Sequence, residues 1–185
     1  TTGELELTIL RKSPAVQVEA ESLSSKLKDR WLLEAKQSID THNTGRFGIY
    51  FDIKYIGIPE LSQMPDEDIV ISHRVKSLKM GDIPIDMNDL AGEVSIRNKT
   101  GFGRFFLPEQ IEGLENLKPG KYPVTLVLEG DIYKANNPGQ PLEHWQVELQ
   151  EEIELNDLIF EKGIPKAQAK VDYDAQVRAR ANSGL

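Results

Sequence analysis

A chain of 185 residues with a net charge of -8 and a pI near 5.0 is long enough to bury a core without disulfides or a structural metal. Its acidity supplies no counterion-release term for gripping a phosphate backbone and sets it against an anionic membrane surface, so nucleic-acid partners and membrane insertion are not expected. Apolar residues make up 39% and charged residues 28% of the chain, ordinary globular values that argue against wholesale disorder.

No apolar run approaches the roughly 20 residues that span a bilayer as a helix. Cysteine is absent, which removes thiol catalysis and Cys-ligated zinc. That absence, and a first residue of Thr1, lean the expectation slightly toward an extracytoplasmic protein, periplasmic, secreted or on a surface.

Taken in chain order, Leu5, Leu7 and Ile9 alternate with Glu4, Glu6 and Thr8, the period of a half-buried strand. Val16, Val18 and Ala20 resume it after Pro14. Over 22–40 the period changes. Leu23, Leu27, Trp31, Ala35 and Ile39 recur at every fourth position, which predicts a long helix with one apolar stripe, capped by Ser22 or Ser24 and ended by Asn43 or Gly45.

Phe47, Ile49, Phe51, Ile53 and Tyr55 then alternate as a strand. Further strands are predicted at 69–75, 93–97, 124–133 and 142–155, with a turn over 98–101 and another at Asn136-Asn137-Pro138-Gly139. Phe102, Phe105, Phe106 and Leu107 are assigned to the core. In the last strand Trp145, Val147, Leu149, Ile153 and Leu155 share one face, opposite His144, Gln146, Glu148, Gln150, Glu152 and Glu154. Many strands with turns between them predict an antiparallel sandwich rather than βαβ units.

Leu117-Lys118-Pro119-Gly120-Lys121-Tyr122, followed by alternating Val124, Leu126 and Leu128, resembles the corner between the fifth and sixth strands of fibronectin type III and related immunoglobulin-like domains. The resemblance spans about fifteen residues. It implies that Tyr122 packs back across the corner, with its hydroxyl bonded to backbone a few residues upstream, and that 122–133 and 142–155 are the last two strands. The fold class expected is therefore mainly β: an antiparallel immunoglobulin-like sandwich over 1–160 with one helix inserted in its N-terminal half, followed by a C-terminal arm over 161–185. Such sandwiches host many activities, so the architecture carries no function.

Chemistry is harder to find. His42, His73 and His144 have no metal-site spacing. Asp82, Asp86, Asn88, Asp89 and Glu93 are the best calcium candidate, but their spacing departs from a calcium loop, so a solvated loop is expected. Gly101-Phe102-Gly103-Arg104 lacks the lysine of a phosphate cradle and reads as a turn feeding a core strand. Asn98-Lys99-Thr100 matches a glycosylation acceptor. There is no nucleophile elbow. No catalytic residue, metal site or cofactor is assigned, and the chain is expected not to be an enzyme.

From Ala167 to Ala181 small or apolar residues alternate with polar ones. A long edge strand on the sandwich, a terminal helix and an arm that adds to a neighbour's sheet edge all fit this pattern. The alternating first seven to ten residues could be the complementary edge, and the plainer expectation is that both termini pair within one molecule. The first expectation is a structural or assembly subunit, held to a protein partner or to itself through sheet edges and this arm. The residues assigned to contact are Val171, Tyr173, Val177, Arg178, Arg180, Glu148 and Glu152. A carbohydrate- or ligand-binding module using Tyr50, Tyr133 and Trp145 as stacking platforms is the alternative, and a carboxylate-based hydrolase the further one.

Overall fold

The computed structural model describes residues 22–63, 68–161, 175 and 177–182. The alternating stretches expected at 5–9 and 16–20 lie outside the described residues. Two antiparallel sheets face each other across one core, an arrangement consistent with a β-sandwich. The smaller has the order β1 (Trp31–Ile39), β2 (Phe47–Tyr55), β6 (Thr100–Phe106). The larger has the order β4 (Ile83–Pro84), β3 (Ile69–Met80), β7 (Gly120–Lys134), β8 (Glu143–Leu155). On the β4 side of β3, β5 (Ala91–Ser95) pairs with Val70–Arg74.

The long helix expected over 22–40 is not there. Only α1 (Leu23–Leu27) forms, with the Ser22 hydroxyl accepting from the Ser25 N–H at 3.2 Å as its cap. Residues 31–39 are a strand paired along their whole length with β2, from Trp31↔Tyr55 to Ile39↔Phe47. The misreading has a geometric cause. A spacing of four is also two strand repeats, so Trp31, Ala35 and Ile39 share a face in either geometry. The tie is broken across the core. The Trp31 ring stacks on Trp145 from the facing sheet, centroids 5.4 Å apart and planes at 13°, and lies 4.9 Å from the ring of Tyr55. Asn43 and Gly45, expected to end a helix, instead close the β1–β2 turn. There Asp40 accepts from the N–H groups of Asn43 and Thr44, and Gly45 takes a φ of 65°.

The strands expected at 47–55, 69–75, 124–133 and 142–155 are present, two of them, Ile69–Met80 and Gly120–Lys134, longer than expected. The expected strand at 93–97 sits two residues early, at Ala91–Ser95. The turn expected over 98–101 also sits early: Asn98 N–H closes it on the Ser95 carbonyl at 2.9 Å, and β6 begins at Thr100. Gly101-Phe102-Gly103-Arg104 is thus strand rather than turn. Of the bulky residues there, Phe106 and Leu107 are buried and Phe102 packs against the core. Phe105 points outward, over Gly48.

Ile49, Phe51 and Ile53 from β2 face Ile71, Leu126 and Leu128 from the larger sheet, all without solvent exposure. Each such side chain contributes about 1.5–3 kcal/mol on burial. At the start of β7 the Tyr122 hydroxyl donates to the Lys118 carbonyl and accepts from the Lys118 N–H at 3.2 Å. This is the back-bonded corner expected of Leu-x-Pro-Gly-x-Tyr.

Candidate functional site

Besides a register shift between Val75 and Ser77, the β3–β7 ladder of the larger sheet has a gap. Between the pairs Ile71↔Ile132 and Arg74↔Glu129 the β3–β7 register has no partners for Ser72, His73, Gly130 or Asp131. Side chains take over the lost bonds. Trp145 Nε1 donates to the Ser72 carbonyl at 3.0 Å, and Asp131 N–H donates to Ser72 Oγ at 2.9 Å. Gly130 stands opposite Trp145 in the β7–β8 register. A Cβ there would collide with the Ser72 carbonyl and come within 2.9 Å of the indole nitrogen. Glycine is what lets the indole reach across.

Above this interruption the outer face holds a cleft of about 500 Å³ lined by Ser72, His73, Arg74, Glu93, Glu129, Asp131 and His144, among others. Glu129 is its hub. Only 7% exposed at its side chain, it pairs with Arg74 and lies 3.8 Å from both Lys76 Nζ and His144 Nε2. Burying a carboxylate is tolerable only with such partners. The other His144 nitrogen, Nδ1, lies 3.1 Å from Asp131 Oδ1. Glu93 bonds the buried Tyr133 hydroxyl; burial first, and that carboxylate second, push the phenol up to about 12. His73 faces the core, its ring stacked on Phe102 at 5.1 Å and edge-on to Trp31 at 5.5 Å. Desolvation holds His73 below its ordinary value, against a weaker opposing pull from Glu93, and its Nδ1 has no hydrogen-bond partner among the described residues. Asp131 and His144 stand within hydrogen-bond distance of each other, yet no described hydroxyl is bonded to His144 as a nucleophile would be. Nor do three His, Asp or Glu side chains group as a metal site among the described residues.

The outer edge of β8 is the second feature, and its geometry follows from one proline. The Pro123 carbonyl accepts from Gly81 N–H at 2.7 Å, so at position 123 the backbone of β7 points toward β3. The missing proline N–H therefore falls beyond the end of β3 and breaks no ladder bond. By alternation, even-numbered residues of β7 point toward β8. Their partners, such as Leu126↔Leu149 and Leu128↔Val147, are the odd-numbered residues of β8. The N–H and C=O groups of His144, Gln146, Glu148, Gln150, Glu152 and Glu154 hence point away from the sheet. Glu152 N–H is satisfied locally by Glu151 Oε1 at 2.9 Å.

Among the described residues no strand pairs with that side of β8. β1 packs alongside from the other sheet without forming a ladder. It is tied on by Leu23 N–H and Ser24 Oγ to Glu143 at one end, and by Gln37 to Asn156 at the other.

The residues assigned to contact from sequence are dispersed. Glu148 and Glu152 sit exposed on the outer face of β8, Glu152 being 3.8 Å from Lys121 Nζ. Val177, Arg178 and Arg180 lie in a helical stretch over 177–182, and Arg180 donates to Asn43 Oδ1 at 3.4 Å in the β1–β2 turn of the same chain. Val171 and Tyr173 lie outside the described residues.

The stacking platforms fare differently from one another. Trp145 and Tyr133 are buried, which removes them as sugar platforms, whereas Tyr50 remains half-exposed with its phenol end over Gly103. Three of the five calcium candidates are engaged elsewhere: Asp89 forks onto Arg104 at 3.0 and 2.8 Å, Asp86 accepts from the Asn88 N–H, and Glu93 holds Tyr133. Sequence reading missed Glu129 as a buried charge. Its place next to the apolar run Val124, Leu126, Leu128 announces an outward residue but not the side chains that close over it.

Comparison with protein-family models, curated proteins and solved structures returned no match.

Proposed function

We propose that this protein is a non-enzymatic interaction subunit of immunoglobulin or fibronectin type III-like architecture, which joins other proteins by accepting their strands at the outer edge of β8. Two features favour the finer architecture: the pairing of a β1-β2-β6 sheet with one containing β3-β7-β8, and the back-bonded Tyr122 at the corner before β7. The observation that carries the function is the row of outward N–H and C=O groups from His144 to Gln150, on a strand of 13 residues. A row of that length is a template for another strand. The C-terminal arm is the lesser contact, because its described part is helical and Arg180 bonds within its own chain.

The test is residue-resolved amide hydrogen exchange on the full chain. Along β8 the even-numbered amides from Gln146 to Gln150 are expected to exchange orders of magnitude faster than Val147 and Leu149, which bond β7. Equal protection of the even-numbered amides would mean that another part of the chain already covers this edge, and would overturn the reading.

A further inference from the structure

The edge of β8 carries a charge pattern that restricts what can dock on it. Residues 143–155 contain five glutamates, at 143, 148, 151, 152 and 154, and no lysine or arginine. Glu143 is occupied by α1. Glu148, Glu152 and Glu154 stand exposed on the outer face, in line with the edge. Glu151 falls at an inward-facing position of the alternation yet is exposed, an inward charge of the kind that blunts an edge against indiscriminate pairing. Toward the start of β8 the acidity continues into the cleft, where Glu93 is exposed and Asp131 is 46% exposed at its side chain. Glu129 adds nothing to that field, because Arg74 and Lys76 already neutralise it.

Cross-strand neighbours on one face interact directly: opposite charges attract and like charges repel. A second copy of β8 laid on this edge would set glutamates among glutamates and is disfavoured. The chain's own 177–182 is helical and cannot add as a strand without unwinding. On the inner side, partly buried Leu149 and Leu33 pack at the rim of the core, so a docked strand needs aliphatic residues at alternate positions.

Resting on the edge-docking reading, we infer that the cognate partner is a segment of another protein that alternates aliphatic residues with lysine or arginine. It adds as a strand along His144–Gln150 and places its basic side chains beside Glu148 and Glu152. Glu152, whose own N–H is satisfied by Glu151 and whose exposed carboxylate is shared with Lys121 at 3.8 Å, contributes part of a charge rather than a ladder bond, so Glu148 is the main anchor.

Short labelled peptides alternating Val with Lys, or Val with Glu, are titrated against the full chain by fluorescence anisotropy. The Val/Lys peptide is expected to bind about tenfold tighter or more, with the advantage shrinking in high salt. The double variant Glu148→Lys, Glu152→Lys is expected to invert the preference. Two controls separate strand addition from loose attraction to an acidic protein. Methylating alternate peptide amides, and replacing Gln150 by Pro so that an outward N–H is lost but no β7 bond, are each expected to abolish binding. Thermal unfolding checks that the Gln150→Pro chain is folded.

Equal binding of both peptides that Gln150→Pro abolishes would overturn the basic-partner inference and leave the edge reading standing. Binding indifferent to Gln150→Pro and to methylation, or no binding of either peptide, would overturn both.

Discussion

The two sides of β8 solve opposite problems. On its inner side the strand is locked: odd-numbered amides feed β7, and Trp145 reaches through an interrupted ladder to bond the Ser72 carbonyl. On its outer side the even-numbered amides face away from the sheet, alongside β1 but in no ladder with it. One strand thus carries a rigid face that builds the sandwich and a polar edge with which no described strand pairs. A residue's tolerance to change is set by which side its backbone serves more than by how exposed its side chain is.

The largest effect should come from closing the gap that admits the indole. Gly130→Ala places a methyl against backbone at Ser72, where no side-chain rotation can relieve it. The cost is expected to be at least about 3 kcal/mol, at the upper end of overpacking penalties. Urea unfolding would show a much lower midpoint or no cooperative transition, and a midpoint near that of the parent would mean the β3–β7 interruption is not held as described.

The comparison is sharpened by two adjacent prolines. Leu149→Pro removes an N–H that bonds β7 and should destabilise strongly, as proline does inside a ladder. Gln150→Pro removes an N–H that bonds nothing in the sheet and should leave the urea midpoint within about 1 kcal/mol of the parent. If both prolines destabilise alike, the outward assignment of the even-numbered amides is wrong.

The smallest effect concerns the core behind the cleft. His73 is held neutral by burial and has a depressed affinity for protons. Below about pH 6.5, where an unfolded histidine begins to bind a proton, the unfolded state binds more protons than the folded one. Stability is then present above that pH and is lost as pH falls toward the folded value. His73→Phe, which keeps an aromatic ring between Trp31 and Phe102 and removes an unpartnered nitrogen, should flatten the thermal midpoint between pH 6.5 and pH 5. Asp40 and Asp89 sit below the usual carboxylate range and lose their contribution only at still lower pH, so the two windows separate. An unchanged slope in the His73→Phe chain would show that another group governs the upper window.

The mainly β architecture, the best strands and the tyrosine corner are legible in the residues alone. Period-two alternation at Phe47–Tyr55 and Glu143–Leu155 has no helical counterpart, and Leu-x-Pro-Gly-x-Tyr encodes its own local bond. The same alternation places Glu148 and Glu152 on a polar face. The rest follows from packing between segments distant in the chain. Whether Trp31, Ala35 and Ile39 line a helix or a strand depends on Trp145 stacking from the other sheet, because a spacing of four satisfies both geometries. Glu129 becomes a buried hub only when Arg74, Lys76 and His144 arrive from separate strands. The open edge of β8 exists because strand order leaves β8 outermost among the described residues. Such properties depend on which distant segments become neighbours, and local alternation carries no record of that.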